Sequence, residues 1–179
     1  MKQLFYFTAI NPIAVEHLKN SMINPINDSI VDKYLNETEK NKYDNSSEDI
    51  FAWGAVPGEG NIRTWKKMNS EDYILTVCKK NGSQYYRFIS QVIEKRKDAQ
   101  LAEAIWGRNE AGQTWEYIYF LTKPKEIDVK VSSLSNVLKS RHQGFLGCGK
   151  DTISGINSQY GSVENFIKEK FQSSSSNQA

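Results

Sequence analysis

Apolar residues along this chain fall into short clusters separated by turn chemistry, and no run approaches the length of a membrane span. Leu4 to Ala9 reads as a strand. Asn11-Pro12 then opens a helix expected from about Ile13 to Met22, because asparagine caps a helix and proline is pre-set for its first turn. A second pair, Asn24-Pro25, closes that helix and starts a segment through Ile30 and Tyr34; the polar stretch Asn36 to Asp49 reads as an exposed loop. Ile50 to Ala55 predicts a strand, and Pro57 to Asn61 a turn whose glycines permit a ligand to approach the backbone closely. Arg63 to Met68 predicts a short helix. Tyr73 to Lys79 and Tyr85 to Val92 are β-rich, and Asn81-Gly82 between them signals a hairpin.

Downstream, Ala99 to Trp106 predicts a helix, Asn109 to Gly112 a turn, and Thr114 to Leu121 a strand dense in aromatics. A strand over Ile127 to Val131 leads into a helix from Ser132 to Leu138, and a glycine-rich loop spans Gly144 to Gly149. Val163, Phe166, Ile167 and Phe171 mark the apolar side of a helix from Ser162 to Phe171. Short strands interleaved with short helices imply an α+β fold, a small curved sheet or partial barrel with helices packed on it. At 179 residues, 39% of them apolar, the chain can bury one core, expected as a single domain over 1–171. Residues 172–179 read as a polar linker or disordered tail, of the kind that leads into a further domain.

The formal charge of +2 does not by itself mark a nucleic-acid binder, but its distribution is uneven. Residues 1–50 carry 5 Lys/Arg against 8 Asp/Glu, whereas 61–97 carry 9 against 3. A basic face is therefore expected from Arg63, Lys66, Lys67, Lys79, Lys80, Arg96 and Arg108, positioned for phosphate contact. Cys78 and Cys148 lie far apart without a C-x-x-C unit or a secretory signal, which predicts a reducing, cytoplasmic setting and no membrane association.

Catalytic chemistry is poorly supplied, so no catalytic residue, metal site or cofactor is expected. His17 and His142 share no metal-binding spacing, and His17, in a polar helical segment, reads as a surface residue. Gly144 to Lys150 departs from the phosphate-loop pattern, since Asp151 follows the lysine. His142 and Cys148 lack an evident orienting partner, and Asp72 reads as a turn stabiliser rather than half of a carboxylate pair with Glu116. Tryptophan is what the sequence offers, at 53, 65, 106 and 115. Trp53 and Trp106 each precede glycine at an element end and are candidate walls of an aromatic cage, with Gly54 and Ala55 beside them and Asn61 as a base-edge contact. Trp65 and Trp115 fit either pocket or core.

Trp53-Gly54, Gly58 to Trp65, Glu71-Asp72, Leu101 to Trp106 and Thr114 to Leu121 together form a pattern that resembles the EVE-like domains at the N-terminus of McrB-type and HNH-fused proteins. Phe5-Tyr6-Phe7, the two Asn-Pro units, Gln143-Gly144-Phe145 and Tyr160 to Glu164 extend the resemblance to about residue 171. Those proteins belong to modification-dependent (type IV) restriction, an anti-phage defence. The resemblance implies a PUA-like, EVE/YTH-like β-barrel flanked by helices, and a non-catalytic module that reads a modified base such as 5-methylcytosine or N6-methyladenine in DNA by base flipping. It implies Trp53 as a cage wall, with Trp106 in the region of the second. An effector nuclease or AAA+ domain, in the same or a partner chain, is the implied partner. An RNA-modification reader of YTH type and an ASCH-type amidohydrolase are the alternatives, although the G-x-K-x-x-E-x-R phrase of the latter is absent.

Overall fold

The computed structural model describes residues 1–45 and 47–172. In chain order its elements are β1 (Leu4–Thr8), α1 (Pro12–Ser21), α2 (Asp28–Tyr34), α3 (Glu37–Tyr43), β2 (Phe51–Ala55), α4 (Glu59–Lys67) and β3 (Tyr73–Lys80). Then follow β4 (Ser83–Lys97), α5 (Ala99–Trp106), β5 (Tyr117–Leu121), β6 (Lys125–Lys130), β7 (Phe145–Gly147), α6 (Lys150–Tyr160) and α7 (Val163–Ile167), with a 3₁₀ turn at Val131–Leu134 and a closing π turn at Lys168–Gln172. None of the described helices is long and apolar enough to cross a membrane.

Packing divides the chain into two compact units. Met1–Thr8, Asp72–Ile89 and the described residues from Lys125 onward make the first; Ala9–Glu71 and Ser90–Pro124, which hold all four tryptophans, make the second. In the first unit β1 runs parallel to β3, Leu4 opposite Tyr73, and antiparallel to β7. Buried Asp72 fixes that register: its carboxylate accepts from the Gln3 backbone N–H at 2.9 Å, while Tyr73 N–H donates to the Gln3 carbonyl at 3.0 Å. Asn81 and Gly82, at φ of 51° and 79°, form the left-handed pair that a tight hairpin between twisted strands requires. The first half of β4 also pairs with β6. Leu4, Tyr6, Leu75, Tyr86, Ile127 and Phe166 are among the residues that bury this unit's core.

In the tryptophan unit, β5 pairs antiparallel with both β2 and the second half of β4. Ile26, Ile50, Leu101, Ile105, Ile118 and Phe120 pack its core beneath α2, α3 and α5. The architecture is the α+β mixture of short strands and helices that the sequence implies, and among the described residues no pairing closes the strands into a barrel.

Four stretches differ from the sequence reading: the turn expected over Pro57 to Asn61 gives way to helix at Glu59, where α4 begins, four residues before the expected start at Arg63. The polar segment from Asn36 is not wholly loop but contains α3, started by a capping box in which Asn36 accepts from Glu39 N–H and Glu39 accepts in return from Asn36 N–H. The helix expected from Ser132 to Leu138 shrinks to the 3₁₀ turn. The glycine-rich loop holds β7 and leads into α6, whose polar surface hid its only buried residues, Ile153 and Ile156. Apart from Gln172, the tail expected at 172–179 lies outside the described residues.

Candidate functional site

Side chains on one face of β2 follow period two, so Ala52 and Gly54 share a face, and that face takes the Trp106 indole. A Cβ at Gly54 would lie 2.9 Å from Trp106 Cζ3 and 2.4 Å from the Trp115 carbonyl oxygen. Glycine is thus what lets the α5 terminus and the segment after it close on the strand. Ala55, one residue on, is buried. Trp106 is held from the other side by α1, its Nε1 donating to Ser21 Oγ at 3.2 Å. Asn20, on the same helix, donates to the Ile105 carbonyl at 3.3 Å.

Four aromatic rings converge here. Trp53 and Trp106 stand edge to face, centroids 6.3 Å apart at 65°, and each is only 7% exposed. In this arrangement the two indoles touch each other and leave no parallel slot between them. Trp115, half-buried, meets His17 edge-on at 4.3 Å and 87°. His17 also lies 6.5 Å from Trp53 and 6.4 Å from Trp106, which makes it the hub of the cluster. The expectation that His17 lies on the surface is therefore corrected: it is buried, on the inward side of α1. Burial lowers its pKa below the usual 6.5, partly opposed by a hydrogen bond to the Trp106 backbone and by Glu16. A neutral imidazole suits this apolar setting. Its buried side could have been read from the Leu18 and Ser21 positions that accompany it on α1.

The remaining sequence candidates lie as follows. Asn61 is half-buried and its Nδ2 donates to the Val56 carbonyl at 3.1 Å, bracing the turn after β2. Gly58, which precedes α4, and Gly60, in the first turn of that helix, border open space, so no packing within the protein demands glycine there. Trp65 donates its Nε1 to the Ile118 carbonyl at 2.9 Å and carries Lys95 over its ring at 5.0 Å. It is not among the rings that meet His17. Among the cations, Arg63 pairs with Glu59, Arg108 with Glu103, and Arg96 with both Glu39 and Asp98. Lys80 pairs with Asp128, whereas Lys66, Lys67 and Lys79 are exposed.

Away from this cluster, His142 and Cys148 do not make a nucleophilic pair by their chemistry. Burial pushes the Cys148 thiol up to about 12 and drops His142 to about 4, and His142 Nε2 is taken by the Tyr86 hydroxyl at 2.7 Å. No group of three His, Cys, Asp or Glu among the described residues could hold a metal ion.

These features describe a mixed α+β domain built around a buried tryptophan and histidine cluster. More particularly, the fold is that of an McrB N-terminal domain. The chain is similar to the structure described as the N-terminal domain of Thermococcus gammatolerans McrB bound to m5C DNA, with a TM-score of 0.68 and 13% identity over 93% of this chain and 100% of that one. No family model matches the sequence, and no curated protein matches it.

Proposed function

We propose that this chain reads modified DNA: it binds a duplex that carries a modified cytosine, takes the flipped base into the tryptophan cluster, and directs an effector nuclease or AAA+ motor to the marked site. What carries the reading is the convergence of His17, Trp53, Trp106 and Trp115 in a fold shared with a domain solved on m5C DNA. Stacking one base on an aromatic face contributes roughly 1–3 kcal/mol. Extruding the base costs a few kcal/mol, so stacking and backbone contacts together must offset it. In this reading the edge-to-face packing of Trp53 and Trp106 is the closed state, and an indole swings aside to admit the base. Trp115, half-buried and held edge-on by His17, is the ring that gives way most cheaply.

Base extrusion is tested with 2-aminopurine placed next to the modified cytosine of a duplex. Binding is expected to raise its fluorescence in the methylated duplex, because the neighbouring stack is broken. Binding without that rise would contradict the flipped-base reading, and stronger competition by RNA that carries the same base would move the target to RNA.

A further inference from the structure

We propose that the grip on the phosphate backbone comes from the first unit, through the segment Lys139 to Lys150 that flanks β7, and not from the cations near the tryptophans; this rests on the DNA-binding reading above. The division of charge points there. The tryptophan unit carries 12 Lys/Arg against 15 Asp/Glu, whereas the first unit carries 11 against 6, a balance of +5.

Pairing sharpens the contrast. Among the described residues, six of the twelve Lys/Arg in the tryptophan unit, namely Lys19, Lys40, Lys42, Arg63, Arg96 and Arg108, face carboxylates, against two of the eleven in the first unit. That unit also bears an acidic groove of about 220 Å³ lined by Asp28, Asp32, Glu37, Asp44 and Glu48. Phosphate would be repelled there. In the first unit the ion pairs among the described residues are Lys2–Glu164 and Lys80–Asp128. Lys130, Arg141 and Lys150 are exposed and face no carboxylate among the described residues.

The segment is also held still. Between exposed Arg141 and Gln143, the His142 side chain is buried, its ring 4.0 Å from Tyr6 and its Nε2 on the Tyr86 hydroxyl. Gln84 clasps the His142 backbone, accepting from its N–H and donating to its carbonyl, each at 2.8 Å. Thr8 clasps Gly144 in the same way, both bonds at 3.1 Å. A loop fixed so firmly loses little further conformational freedom when it meets a ligand, so its cations bind at lower entropic cost than those on a free loop.

The test is the salt dependence of binding by the full chain to plain and m5C duplexes of one sequence. An Arg141→Ala/Lys150→Ala variant is expected to lose affinity for both duplexes by the same factor and to lower the log–log salt slope by about 1 to 2, at ~0.9 per phosphate contact. Its thermal midpoint is expected to stay at the wild-type value. A Lys66→Ala/Lys67→Ala variant is expected to leave the slope unchanged. A drop confined to the Lys66/Lys67 variant would overturn the inference. Equal wild-type affinity for plain and methylated DNA, with the slope change present, would sink base reading and leave the backbone grip standing. Absence of DNA binding would overturn both.

Discussion

Gly54 is the residue on which the tryptophan cluster closes. A methyl group there meets the Trp115 carbonyl, a backbone atom that cannot swing away, as well as the Trp106 ring. Gly54→Ala is therefore expected to destabilise the protein by about 1–3 kcal/mol, the usual cost of overpacking, and to shift tryptophan fluorescence. An unchanged thermal midpoint and spectrum would contradict the close approach. At this scale the sequence was partly legible. Tryptophan followed by glycine marks Trp53 and Trp106, although only Trp106 ends its element, α5, while Trp53 is the central residue of β2. His17 was not legible, since one buried imidazole within a polar helix leaves no periodic signal until its aromatic partners, each distant in sequence, are brought to it.

Among the elements, α3 shows how a hydrophilic stretch can be structural. Its Tyr43 stacks on Phe120 at 3.9 Å and 9°, and its outer face is tied to β4 by Glu39–Arg96 and Lys42–Glu94. Glu39 serves both the capping box and the ion pair, so Glu39→Ala is expected to cost about 1–2 kcal/mol. Urea unfolding measures this, and a loss close to zero would contradict the double role. The same geometry makes Arg96 a strut of the fold. Strands were the more legible elements, because β-branched and aromatic runs bounded by turn residues, above all the Asn81-Gly82 hairpin, specify themselves locally. The helices α3 and α6 were missed because their apolar residues are few and their starts depend on caps: Asn36 with Glu39 in one, and a bare Gly149 in the other.

For the molecule as a whole, charge and tryptophan segregate in a way that no window along the sequence reveals, because each unit is assembled from separate stretches of chain. The basic count over 61–97 straddles both units and so blurs the division. Acid sensitivity is a property at this scale too. His142 titrates at about 4 when folded, lowered first by burial and then by Lys139, against 6.5 ordinarily. Between those values the unfolded chain binds more protons than the folded one, so stability falls as the pH drops below about 6.5, by roughly 2 kcal/mol at pH 5. Buried His17, lowered as well, acts in the same direction. His142→Gln is expected to flatten the fall of the thermal midpoint between pH 7 and pH 5; a fall as steep as that of the wild type would contradict the assignment.

Whether this chain reads a modified base is decided by the affinity ratio between an m5C duplex and its unmodified twin at one fixed salt concentration. Burying one methyl group contributes about 0.8 kcal/mol, so binding to the methylated duplex is expected to be at least about fourfold tighter. Trp106→Phe is predicted to lose that preference while salt-dependent binding to both duplexes persists. Equal affinity of the wild-type chain for the two duplexes would rule out reading of the methyl group.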